Sequence, residues 1–345
     1  MTTTTTLIAT IESGRRQRVR RCAVATGVLA TVVVALFAAS LMYGHTTYSP
    51  REVLEVIAGR DVEGASFTVG QLRLPRAVLA VVVGACFGMA GAAFQSMLRN
   101  PLASPDIIGI SAGASAAGVV GIVWLGWNES RVSALAVTAA LTVAAVIALL
   151  AYADGLVGTR LILIGIAVSA MLDSVVAYVI VRSASWDIQT ALRWLTGSLN
   201  ATTWEQVIPA LAALVVFGPV LWSTQRGLDL LRLGDDAAAA LGVAVERTRL
   251  TVILSAVALI AFATAASGPI AFVAFLAGPI AARIVGTSQS LLISAALVGA
   301  AVVLGADLVG QWSFGTRYPV GVITGALGAP YLVYVLITTQ RRVGS

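Results

Sequence analysis

Apolar residues run along this chain in blocks of about twenty, separated by short stretches that hold nearly all of the charge. A helix needs about 20 apolar residues to cross a bilayer's hydrocarbon. The blocks at 22–42, 74–98, 105–126, 132–152, 160–182, 204–223, 247–267, 270–285, 288–311 and 320–339 have that length or approach it. The pattern predicts an all-α membrane protein of about ten transmembrane helices, with both termini on one side. Residues 1–21 read as a polar tail and 22–340 as a single membrane domain. Between the first two blocks, SPREVLEVIAG predicts a short amphipathic helix with Ser49 as N-cap and Pro50 at N1. The segment 266–286 carries two Gly-Pro steps, so the eighth span is expected to be broken or tilted at Gly278-Pro279. Such breaks are tolerated where they line a cavity or are covered by protein.

The stretch 72–118 organises the rest. Gly84, Gly88 and Gly91 follow at spacings of four and three and share one helical face. In lipid such a face lets another backbone approach closely. Gln95 falls near the same stripe, and Asn100-Pro101 forms a hinge. A second helix is expected after Pro101 and Pro105, with Asp106 in its first turn and the small residues Ser111, Gly113 and Ser115 behind it.

Composition agrees with a bilayer. Hydrophobic residues make up 58% of the chain and charged ones 11%, against roughly 25% charged in soluble domains. The net charge of +6 does not point to nucleic acid, because the basic residues sit at block ends. All 22 are arginine. With the N-terminus in the cytoplasm, 14 lie at cytoplasmic ends and eight outside, the sense of the positive-inside rule. Without lysine there can be no P-loop, so any ATP that powers this chain is hydrolysed by another. A single histidine, His45, rules out an HExxH zinc site, and Cys22 and Cys86 have neither metal nor disulfide spacing. Asp173 and Asp307 fall within predicted spans, where a charge costs about 2.5–3.5 kcal/mol on insertion scales. They read either as polar packing or as the sites of an ion-coupled carrier acting alone. Spans two to five and seven to ten enter the membrane with opposite orientation, the arrangement of inverted halves.

Two surface elements could carry partners. In the loop 225–249 an alanine-rich helix follows Gly234, Asp235 and Asp236, an acidic pair that complements its dipole, and Gly242 stops it. It is either a face against which a motor subunit pushes or a well-capped connector. Arg73 and Arg76 bracket Leu74-Pro75 at the outer mouth of the second span. They either dock an acidic partner or anchor the helix at the headgroups.

The run LRLPRAVLAVVVGACFGMAGAAFQSMLRNPLASPDIIGISAGAS resembles the signature region of FecCD-type permeases, the membrane subunits of type II ABC importers for iron–siderophores, haem and cobalamin. The likeness continues through LILIGIAVS, LRWLTGSLNATTWEQV, LGDDAAAALGVAVERTR and YPVGVITGALGAPYLVYVL, in the family's order from residue 50 onward. It implies a multi-pass permease of the cell membrane that is itself no enzyme. Its partners would be a second permease, cytoplasmic ATPase subunits that hold ATP-Mg, and an external substrate-binding protein. It also implies that the chain itself binds no metal or cofactor. Gly234, Asp235, Asp236, Ala240, Leu241 and Gly242 match the ATPase-coupling motif, and Arg73 and Arg76 the arginines that dock the binding protein. The glycine and serine faces over 84–115 would then line the pathway. Ile280 stands where the family often has histidine, and Arg317-Tyr318-Pro319 where it often has Glu-Leu-Pro. SPDIIG looks most like the ferric-enterobactin (catecholate) branch, whose members commonly pair with a different permease.

Overall fold

The computed structural model describes residues 2–104, 109–151, 158–286 and 291–343. Among them there are helices and connections and no strand. Helix α1 (Thr2–Met42) carries the polar N-terminal stretch and the first apolar block as one element. The separate tail expected over 1–21 is therefore helical from Thr2. No proline interrupts residues 2–42, and extending an existing helix costs little once its span has nucleated it. Helix α2 (Pro50–Ile57) starts at the expected cap, where the Ser49 backbone N–H and hydroxyl both donate to the Glu52 carboxylate. These bonds hold the Glu52 carboxyl below its ordinary range.

Helix α3 (Ala65–Phe67) runs through a π turn (Thr68–Arg73) into α4 (Leu74–Met97). The wide turn accommodates Pro75, which has no N–H to give to the preceding turn. The remaining helices are α5 (Ile110–Val123), α6 (Glu129–Ala151), α7 (Gly158–Val181), α8 (Ser185–Thr196), α9 (Trp204–Ser223), α10 (Gln225–Leu231), α11 (Asp235–Ala240), α12 (Val245–Ser267), α13 (Val273–Val285), α14 (Leu291–Trp312) and α15 (Val320–Val343). Among the described residues seven runs are long and apolar enough to cross a membrane; α5, α13 and the apolar part of α15 are shorter. Together they give the ten spans.

Two local expectations change. The third span is a 14-residue helix, about 21 Å long at 1.5 Å per residue, shorter than 105–126 implied; Pro105 and Asp106 lie outside the described residues. The eighth span is not broken at Gly278-Pro279: α13 runs through Pro279, and the chain breaks at Gly268-Pro269 instead. Helices α8 and α10 are additions, too short and too polar to register as apolar blocks.

The helices pack as two matching sets of five. Helix α4 packs on α14 and α13 as α12 packs on α6 and α5. Likewise α5 packs on α6 and α7 as α13 packs on α14 and α15, and α1 packs on α4 as α9 packs on α12. Five spans per half turn the second set over relative to the first. Both short spans are entered through a left-handed residue, Gly109 (φ 79°) before α5 and Phe272 (φ 66°) before α13. The core centres on α4, of which Leu79, Val83, Phe87 and Phe94 are fully buried.

Candidate functional site

The glycine face of α4 is a closed seam. A Cβ at Gly84 would meet the backbone of Gly299 and Ala300, at Gly88 the Ala295 carbonyl, and at Gly91 the Ala274 carbonyl. The face therefore brings α4 into backbone contact with α14 and α13. In this conformation its glycines do not line an open path. Gln95 closes the seam's end. Pro279 has no N–H for the carbonyl four residues back, that of Phe275; the Gln95 side-chain amide donates to that carbonyl at 3.0 Å and to the Pro101 carbonyl at 3.0 Å. One buried amide thus replaces the missing helical bond and fixes the hinge. Asn100 shapes that hinge by accepting from the Leu102 N–H at 2.9 Å. Ser111, Gly113 and Ser115 are buried on α5, Gly113 against Val143 of α6.

At the opposite end of α4, Arg76 grips Asp307 of α14 through two bonds, at 2.9 and 2.7 Å, and donates to Asn200 at 2.8 Å. The pair is largely buried, its side chains 16% and 5% exposed, and Gln311 adds a third donor to Asp307 at 2.7 Å. Arg73 donates to the carbonyls of Leu41 and Thr46 at 2.9 and 2.7 Å, satisfying the end of α1, and lies over the Tyr48 ring. These arginines are internal ties, and their main donors are spent within the chain. The Arg76 tie gives Asp307 a partner, which sequence spacing alone did not reveal. Beside the pair lies a cavity of about 650 Å³, whose polar lining includes Arg193, Arg317, Asn200, Gln206 and Glu129. The Arg317 guanidinium reaches the ring of His45 at 2.8 Å.

The third cluster sits at the other end of the bundle, around α10 and α11. Gly234 (φ 109°) turns the chain into α11, and Gly242 (φ 87°) follows its C-cap, Leu241. Asp235 pairs with Arg249 of α12 at 2.8 Å and with Arg99, just beyond α4, at 3.4 Å. Asp236, Ala240, Leu241 and Gly242 face outward; Leu233 and Leu241 are 65% and 60% exposed. Gln225 anchors the element: its carbonyl oxygen accepts the Leu292 N–H at the start of α14, and its amide donates to Asp229. Burial pushes the Asp229 carboxyl up, while the Gln225 bond and the Arg232 charge pull it back. Thus α10 and α11 are tied to α4, α12 and α14. Sequence reasoning missed Gln225 and Asn200, since a lone amide between helices carries no spacing signal.

The spacing Gly109-Ile110-Ser111-Ala112-Gly113 matches the G-x-S-x-G of hydrolase nucleophile elbows. Here it opens α5 with no strand before it among the described residues, and the chain's one histidine, His45, lies near Trp312 and Arg317 at the other end. No acyl-transfer site forms among the described residues. Among the described residues no three His, Cys, Asp or Glu side chains gather as a metal site.

Comparison with known proteins agrees with this architecture. The model of the FecCD transport family matches residues 32–338. The chain is 38% identical over 316 residues to the ferric enterobactin transport system permease protein FepG of Escherichia coli, covering 91% of this chain and 95% of that one. It is 35% identical to the cobalamin import system permease protein BtuC of Halobacterium salinarum, over 81% of this chain and 76% of that one. Among solved structures, a metal-chelate type ABC transporter in an inward-facing conformation superposes with a TM-score of 0.81 at 27% identity, covering 91% of this chain and 98% of that one.

Proposed function

We infer the function from one premise: this chain belongs to the FecCD transport family, and is a multi-span permease subunit of a type II ABC importer. Its own role is translocation, and ATP is hydrolysed on separate subunits. The cargo is an iron–siderophore complex moving into the cytoplasm; within that class SPDIIG points to catecholate complexes on likeness alone. The single observation that carries the coupling role is the outward face of α11. Leu233 and Leu241 stand exposed beside charged residues, on an element tied by Asp235, Arg232 and Gln225 to three spans. A cytoplasmic ATPase seated there moves α4, α12 and α14 together. The arginine bias supports a cytoplasmic placement of that end, with both termini. The external binding protein docks at the other end, on the rim of the Arg193–Arg317 cavity rather than on Arg73 and Arg76. A second permease completes the pathway. An ion-coupled carrier loses one of its two carboxylates, because Asp307 is committed to Arg76.

The test is co-purification in mild detergent, together with uptake by a deletion strain complemented with the parent chain or with Leu241→Asp. The expected result is that the parent carries its ATPase and restores uptake of an iron–siderophore from a panel that includes haem and cobalamin. Leu241→Asp should lose both while still reaching the membrane. Ion-driven uptake by the chain alone in proteoliposomes would sink the reading.

A further inference from the structure

Asp173 is an intramembrane charge that no contact explains. It stands on α7 eight residues before Val181, about 12 Å from the nearer helix end at 1.5 Å per residue, too far for a short carboxylate to reach the headgroups. Its side chain is exposed, and among the described residues no donor or cation reaches it. Helix α7 is also the least buried of the seven long spans. Other exposed faces are different in kind. Those of α1 (Val24, Val28) and α9 (Val215, Val216) carry no charge over 22–42 and 207–222, as lipid demands. The α7 face instead sets Asp173, Ser174 and Tyr178 among its apolar residues. A carboxylate facing lipid is costly, and an ionised one is accommodated where water reaches it.

Resting on the importer reading, in which a second permease completes a water-filled path over this α7 face, we propose that Asp173 selects cargo by charge, admitting neutral or cationic iron chelates over polyanions. Three hydroxamates balance iron(III), giving a neutral complex, whereas three catecholates leave a trianion. At about 10 Å in a watery path, one carboxylate disfavours the trianion roughly two- to eightfold, depending on salt. This runs against the catecholate likeness of SPDIIG, four of whose residues lie outside the described structure.

Two arms test it on the full complex. In membrane vesicles, with Cys22→Ala and Cys86→Ala as background, Asp173→Cys should react with a membrane-impermeant thiol reagent and Val216→Cys should not. An unreactive Asp173→Cys overturns the proposal whatever the cargo. In uptake assays with radioiron, the parent should prefer a neutral trihydroxamate. Asp173→Asn should raise the tris-catecholate to trihydroxamate ratio two- to eightfold, and an unchanged ratio overturns the selection. If the parent takes up neither chelate, the siderophore reading fails and takes charge selection with it, while the labelling arm still decides whether the face is wet.

Discussion

Replacing Gln95 by methionine probes the one place where a side chain stands in for a helical hydrogen bond. The substitution keeps the length of the side chain and removes its donor. Two bonds are lost, to Phe275 and Pro101 at 3.0 Å each, worth about 1 kcal/mol net apiece. The Phe275 carbonyl is also left unpaired at a buried site, which adds about 1–3 kcal/mol. Methionine recovers part of this by burying apolar surface, so the expected cost is about 2–4 kcal/mol. The decisive measurement is the same substitution in a Pro279→Ala background. Alanine restores an N–H at position 279, directed at the carbonyl that Gln95 serves. There the cost of Gln95→Met should fall to about 1–2 kcal/mol, a coupling of about 1–2 kcal/mol between residues 184 positions apart in the chain. Stability would be read from SDS titration of the four variants in mixed micelles, followed by far-ultraviolet circular dichroism. Costs that add to within 0.5 kcal/mol would refute the exchange of one donor for another.

Two further outcomes follow from the same geometry. Arg76→Gln and Asp307→Asn should each lower stability by about 2–4 kcal/mol, because either leaves a largely buried charge unpaired, whereas the double variant should lie closer to the parent; the same titration checks this. Gly91→Ala should be destabilising by about 1–3 kcal/mol or prevent folding, since its Cβ falls on the Ala274 backbone. Gly305→Ala, with nothing within 4 Å, should be neutral or stabilise by up to about 1 kcal/mol, a contrast visible in relative melting temperatures.

The spans were legible because lipid imposes one requirement, a run of apolar residues of known length, and the chain meets it repeatedly. The capped helix at Ser49 and the glycine seam were legible for a similar reason: each depends on residues three or four apart, which local spacing can reveal. What spacing could not reveal lies between distant positions. Pro279 reads as a helix breaker only while Gln95 is unknown as its neighbour. Arg73 and Arg76 read as surface cations only until Leu41, Asn200 and Asp307 are brought beside them. The π turn was hidden because nothing in the composition of 68–73 distinguishes an i→i+5 bond from an ordinary one. The inverted halves, inferred from orientation alone, show little in residue identity and clearly in which helix packs on which.

These ties also bear on where motion can occur. Helices α4 and α14 are in backbone contact along the glycine seam, bound at one end by Arg76 and Asp307 and at the other to α10 and α11 through Arg99, Arg232 and Gln225. A force applied at α11 meets no compliant joint along that route, because packed backbones have no side-chain freedom with which to absorb a shift. It is delivered whole to the far end, where the Asn200 loop and the large cavity lie. Compliance must then reside in spans that lack such locks. The least buried is α7, and its symmetry partner α15 shares its place beside a short span. An importer that opens alternately to each side would shift the α4–α14 block as one body and let these two elements move relative to it, and the exposed Asp173 rides on one of them.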